Sequence, residues 1–230
     1  MTNRKLSGIA DSILTGFRSC EGLPETSIWV GNPVREEIAI KIRTDQDQDG
    51  TTKILILGGS QGAQSLNEYL PACLSELAEK LPLRVWHQTG VEKSEDVNLN
   101  YRELASFKSV LVEEFIKDIE VAYSWADIVI CRAGAMTIAE LMAAGKPSVL
   151  VPFPHAAGDH QTKNAKFMVK AEAAILVPDA QLSQSKLSQQ LLKLLTSPER
   201  LLTMANNAAD LYRPTAAKQV ADFCRVYLYA

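Results

Sequence analysis

No run of about 18 uninterrupted apolar residues occurs anywhere in the 230-residue sequence, so no segment reads as a membrane-spanning helix. The N-terminus, Met1-Thr2-Asn3-Arg4-Lys5, leads into a mixed stretch and not into the apolar core of a signal peptide. Basic charge is not in excess: 24 Lys and Arg stand against 27 Asp and Glu, for a formal charge of -3, and no basic run occurs. Binding to a phosphate backbone usually leaves a clustered Lys/Arg footprint, so nucleic acid is set aside as the main partner. The four cysteines, Cys20, Cys73, Cys131 and Cys224, are scattered, form no C-x-x-C pair and have no histidine at metal-ligand spacing. They read as small buried hydrophobes in a reducing compartment, not as a disulfide framework or a metal site. Neither an internal repeat nor a low-complexity segment is present. These absences describe a cytoplasmic globular chain, with peripheral contact to a membrane left open.

What is present is a core and an alternation. Hydrophobic residues make up 47% of the chain, enough at this length to bury a core without disulfides or metals. Leu6, Ile9, Ala10, Ile13, Leu14 and Phe17 recur at helical and then strand-like spacing, and Gly31-Asn32-Pro33-Val34-Arg35 punctuates the chain. From Lys53 the pattern becomes regular. Strands are expected at 54–57, 84–87, 110–112, 127–131, 148–151 and 174–177, with helices at 64–80, 101–105, 118–125, 136–144 and 160–170 between them. Short apolar strands alternating with helices imply a parallel sheet covered on both faces, hence an α/β, Rossmann-like, doubly wound domain of about six strands. The tail from Leu182 to Ala230 is helical by pattern, broken at Pro198 and Pro214.

Ligands of such sheets sit at the carboxyl ends of the strands, where loops enter helices with free backbone N–H groups. Three loops there carry polar chemistry. Gly58-Gly59-Ser60-Gln61-Gly62-Ala63 offers backbone approach, a hydroxyl and a helix N-terminus, which suits a phosphate; a tight turn without a ligand is the alternative. It is not G-x-G-x-x-G, and no acid follows the second strand at His87-Gln88-Thr89-Gly90, which weakens a dinucleotide reading. In Arg132-Ala133-Gly134-Ala135-Met136-Thr137-Ile138-Ala139-Glu140, the carboxylate of Glu140 can accept from two neighbouring hydroxyls, as a ribose presents them, or can merely offset a helix dipole. Pro152-Phe153-Pro154-His155-Ala156-Ala157-Gly158-Asp159-His160-Gln161 suits sugar hydroxyls or proton transfer, or is a capped helix start with Asp159 as N-cap. Asp45-x-Asp47-x-Asp49-Gly50 opens like a calcium loop, but its ninth position is Lys53 and its twelfth is Ile56, so it reads as a solvated loop.

Together, Gly31 to Arg35, Gly58 to Ala63, Trp86-His87-Gln88-Thr89-Gly90, Cys131 to Ala135, and Val151-Pro152-Phe153 with His160-Gln161 resemble the N-acetylglucosaminyltransferases of peptidoglycan synthesis, the MurG family of glycosyltransferase family 28. The resemblance runs from about Thr2 to the C-terminus. It implies the donor-binding half of a B-type transferase: UDP-N-acetylglucosamine as donor, lipid I as acceptor, lipid II as product, inversion at the sugar, and neither cofactor nor metal. By position, Ser60 with Gly59 and Gln61 would hold the diphosphate, and Ile116 in Glu114-Phe115-Ile116-Lys117 would read the uracil edge through its backbone. Arg35 would lie by the base, Ala135, Met136, Thr137 and Glu140 would line phosphate and sugar, with Glu140 on the ribose hydroxyls, and Gln161 would meet the N-acetylglucosamine. Many members read Asp-Asn-His-Gln where this chain has Gly158-Asp159-His160-Gln161.

Family members also carry an N-terminal acceptor domain with a Gly-Gly-Thr-Gly-Gly-His loop, which this sequence does not contain. The expectation is therefore that residues 1–31 are the end of that domain and its linker, with the apolar face of Leu6, Ile9, Ile13 and Leu14 exposed or covered by a partner, and that 32–230 form the donor domain. No residue is identified as the catalytic base; His87, His155 and His160 are only possibilities. Two other functional readings remain open: a non-catalytic donor-binding subunit of a split transferase with a membrane-associated partner chain, and a UDP-N-acetylglucosamine 2-epimerase-like enzyme.

Overall fold

The computed structural model describes residues 5–18, 22–39, 50–103, 107, 109–183 and 186–228. The calcium-like positions 45–49 and the end of the helix expected at 101–105 lie outside the described residues.

Six strands, β3 Thr52–Leu57, β4 Leu83–Gln88, β5 Ser109–Glu113, β6 Ile128–Cys131, β7 Ser148–Leu150 and β8 Ala174–Leu176, form one parallel sheet in the order β5-β4-β3-β6-β7-β8. They are preceded by a separate parallel pair, β1 Leu14–Thr15 and β2 Ile28–Trp29. The helices are α1 Gln64–Ala78, α2 Ser94–Arg102, α3 Ile119–Trp125, α4 Ala135–Ala143, α5 His160–Lys170, α6 Lys186–Leu195, α7 Pro198–Asp210 and α8 Ala216–Leu228. The expected doubly wound architecture is thus present, and the helical tail breaks at Pro198, which opens α7, and around Pro214, between α7 and α8. The helix expected at 101–105 instead begins at Ser94.

The continuous apolar run of β3 has a physical use in this topology. Ile54 and Ile56 point into a core built with Leu66, Leu70, Leu74 and Leu77 of α1 and Leu191 and Leu194 of α6. Leu55 and Leu57 point to the other face, against Tyr123 of α3, Ile138, Leu141 and Met142 of α4, and Ala165 and Met168 of α5. A strand that must feed two cores cannot alternate apolar with polar.

The first pair of strands leans on this body through aromatic contacts. Trp29 lies with its ring under the Arg213 guanidinium, 3.9 Å from the centroid, and edge-on to Phe167 of α5 at 6.3 Å. Phe17 meets the same Phe167 at 5.4 Å. Leu6 and Ile9 are exposed, Ile9 at 81%.

Chain reversal at the sheet's middle defines a switch point: from β3 the strands run outward to β5, then the chain returns to place β6 on the other side of β3. The loops after β3 and β6 therefore diverge to opposite faces and leave a crevice between them.

Candidate functional site

That crevice is an open cavity of about 1260 Å³, and nine of the ten residues expected to meet a ligand line it: Arg35, Gly59, Ser60, Gln61, Ile116, Met136, Thr137, Glu140 and Gln161. Ala135 is the exception; it is exposed at the first turn of α4 but is not part of the lining.

The floor is a glycine turn whose shape the backbone dictates. Gly59 and Gly62 have φ of +80 and +72, and the Gly62 N–H donates to the Gly59 carbonyl at 3.0 Å. A Cβ on Gly62 would lie 2.1 Å from the Thr89 carbonyl oxygen, and one on Gly90 would lie 2.3 Å from the Gly62 nitrogen. The turns after β3 and β4 thus press backbone on backbone, which only glycine permits at both places. Lys93 closes the same turn from above, its Nζ donating to the Gln61 carbonyl at 2.7 Å.

Two helices begin at this cavity without a side-chain cap: α1 after Ala63 and α4 after Gly134. Orphan N–H groups and the positive ends of both dipoles therefore converge where Ser60 and Thr137 offer hydroxyls, a setting suited to an anion. Asp159 does not cap α5 as the sequence allows. It stands at left-handed φ 55 and its side chain makes no capping bond.

Glu140 faces the cavity from the second turn of α4 and accepts a 3.0 Å hydrogen bond from the Tyr123 hydroxyl. Partial burial raises the carboxyl above its ordinary range, while the Tyr123 bond and the Arg35 charge oppose that rise. Ile116 is buried in the cavity lining, and its N–H is already engaged, donating to Gln88 Oε1 at 3.3 Å. Gln161 Oε1 accepts from the Phe153 N–H at 2.9 Å, so its Nε2 is the donor left for a ligand.

Arg132 is the brace of the far wall. Its guanidinium donates to the carbonyls of Val151 and Pro152, to Ser65 Oγ at 2.9 Å and to the Asp179 carboxylate, and lies 5.5 Å from the Phe153 ring centroid. Ser65 Oγ in turn donates to Asp179 Oδ1 at 2.6 Å. One cation thereby ties the ends of β6, β7 and β8 to the start of α1.

Ser65, Lys93, Tyr123 and Asp179 line the cavity and were not singled out from the sequence. Asp179 could have been found by the rule that led to the other loops, since it follows β8. Tyr123 carried no signal, being one of two aromatics, with Trp125, in a largely apolar helix.

The three histidines separate. His155 lines the cavity, while His160 lines a second cavity beside α5. His87 belongs to neither: it is fully buried in β4, with one ring nitrogen 3.1 Å from the Tyr101 hydroxyl and the other 3.1 Å from Asn67 Oδ1. It is a core histidine and is corrected as a candidate base, because burial pushes it down to about 3 and keeps it from the cleft. Its neutral form therefore contributes stability that is complete above the unfolded-state value of about 6.5 and is lost as pH falls from there toward 3. Urea unfolding is expected to show roughly 2 kcal/mol less stability at pH 5.0 than at pH 7.5 from this group, and His87→Gln should flatten the dependence by that amount. An unchanged slope would place the acid sensitivity elsewhere.

Among the described residues, no group of three or more His, Cys, Asp and Glu side chains is placed to hold a metal ion, and no helix is long and apolar enough to cross a membrane.

Residues 53–221 match the family described as glycosyltransferase family 28 C-terminal domain. The chain is 42% identical over 97% of its length to the UDP-N-acetylglucosamine–N-acetylmuramyl-(pentapeptide) pyrophosphoryl-undecaprenol N-acetylglucosamine transferase of Shewanella denitrificans. It spans 62% of that relative's length. Among solved structures, it is similar to Acinetobacter baumannii MurG, with a TM-score of 0.83 and 35% identity over 97% of this chain and 62% of that one. A UDP-N-acetylglucosamine 2-epimerase from Listeria monocytogenes, described as putative, matches at TM-score 0.67 and 14% identity over 99% of this chain and 63% of that one, a likeness of fold alone.

Proposed function

Because the chain belongs to glycosyltransferase family 28, carrying its C-terminal domain over residues 53–221, we propose that the cleft binds the donor of a sugar transfer, UDP-N-acetylglucosamine. The observation that carries this reading is one arrangement at the switch point: two uncapped helix N-termini, the Ser60 turn and the Glu140 carboxylate all line one cavity. The helix ends and the turn suit a diphosphate and the carboxylate suits a vicinal diol, within a space that admits a nucleotide sugar. Arg35 and Ile116 are proposed to flank the base, Ser60 with the amides of Gly59 and Gln61 to hold the diphosphate, Met136 and Thr137 to line it, and Gln161 to meet the sugar.

For the whole protein we propose the relatives' reaction: transfer to lipid I, giving lipid II for peptidoglycan at the cytoplasmic face of the membrane. This chain supplies the donor site, as residues 32–230, and the acceptor is held by a separate domain or a membrane-associated partner.

Calorimetry in the presence of a chelator tests the donor reading. UDP-N-acetylglucosamine and UDP are expected to bind, with NADH at least about tenfold weaker. Tighter binding of NADH, or a requirement for a divalent ion, overturns it.

A further inference from the structure

The cavity lining contains a buried phenol that the donor reading above does not use. Tyr123 is fully buried in α3, yet its hydroxyl reaches the edge of the cavity and donates to Glu140 Oε2 at 3.0 Å. The bond joins α3, which follows β5, to α4, which follows β6, across 17 residues of sequence. One carboxylate oxygen is thus fixed by the protein, and the lone pairs of Oε1 remain for a ligand in the cavity.

A free Glu side chain on a helix samples several rotamers, and each ligand bond must oppose that freedom. A carboxylate pinned at one oxygen has already been ordered. Its plane is set, and it meets a pair of neighbouring hydroxyls without further rearrangement.

We propose that Tyr123 is a positioning residue for diol recognition: its hydroxyl aims the Glu140 carboxylate at the 2′- and 3′-hydroxyls of the nucleotide ribose. The inference rests on the donor reading and deepens it at one subsite. Charged or titratable groups that act on Glu140 are Arg35, whose charge favours the ionised carboxylate, Tyr123 itself, and Cys131 of β6, whose thiol burial pushes up to about 12 and so keeps neutral. Removing the Tyr123 hydroxyl deletes one of the two influences that oppose burial, so the carboxyl must rise further.

The test is Tyr123→Phe, which conserves the ring and its packing, studied by calorimetry with UDP and with 2′,3′-dideoxy-UDP from pH 5 to 8. Wild-type affinity for UDP is expected to fall on the acid side as Glu140 and the terminal phosphate of UDP take up protons, and the dideoxy ligand reports the phosphate contribution alone. In Tyr123→Phe that limb should move to higher pH, and at pH 7.5 UDP should bind about five- to tenfold more weakly. The dideoxy ligand should bind both proteins alike. A carboxyl titration followed by carbon NMR reads the same effect without ligand: the Glu140 resonance should titrate at higher pH in the variant. Equal weakening of both ligands, or an unmoved Glu140 titration, would show that Tyr123 merely packs. Wild-type protein that fails to bind UDP overturns the donor reading itself, and this inference with it.

Discussion

Glu140→Ala is expected to weaken UDP binding by roughly ten- to a hundredfold at pH 7.5, measured by calorimetry. Hydrogen bonds to a charged group are worth about 1.5–3 kcal/mol each, and loss of one such bond already accounts for about a tenfold change. The carboxylate faces the cavity at the mouth of a protein wall, where water competes less effectively for its lone pairs. Glu140→Gln should fall between, because an amide keeps one acceptor but brings an N–H₂ against the Tyr123 hydroxyl or the ligand. The alanine variant also strands the buried Tyr123 hydroxyl, at a stability cost of about 1–3 kcal/mol, so titrations belong well below its melting temperature. If the dissociation constant stayed at the wild-type value while the variant remained folded, Glu140 would have no part in the site.

Gly62→Ala should lose clearly more stability than Gly59→Ala, although both add one methyl to the same turn. Gly59 and Gly62 both stand at positive φ, so alanine at either position carries the left-handed penalty of about 1–2 kcal/mol. They differ in space. A Cβ on Gly59 meets nothing within 4 Å, whereas one on Gly62 would be 2.1 Å from the Thr89 carbonyl oxygen, a backbone atom that cannot swing aside. The extra cost of forcing the two turns apart is about 1–3 kcal/mol, so Gly62→Ala should be less stable than Gly59→Ala by that margin in urea unfolding. Its UDP affinity should drop as well, since the turn that carries Ser60 is displaced. Equal stability losses in the two variants would mean that the turns after β3 and β4 are not in tight contact.

Much of the fold was legible because each strand of a two-faced parallel sheet is a short apolar run, and Ile54-Leu55-Ile56-Leu57 is the plainest of them. The ligand-facing loops followed from the same fact, since strand ends locate them. Strand order was not legible, because nothing in β6 says that it pairs with β3 and not with β5. Tyr123 was missed for a related reason: its partner Glu140 lies on another helix, and sequence spacing cannot reveal a contact made through the fold. His87 misled in the opposite sense, because an imidazole in a motif looks reactive until Asn67 and Tyr101 are seen to close around it. The Asp159 cap failed because Gly158 at φ 65 lets the chain turn left-handed there, which carries the aspartate away from the helix amides.

The strand order has one more implication, for how the cleft is owned. The Ser60 turn, Lys93 and Ile116 come from the block that runs outward from β3 to β5, while Arg132, Glu140, Gln161 and Asp179 come from the block that runs from β6 past β8. Each block supplies one wall, so neither half of the sequence possesses the cleft by itself. A molecule seated there clasps the two blocks along their shared seam between β3 and β6, and its binding energy becomes part of what keeps the halves of the sheet together.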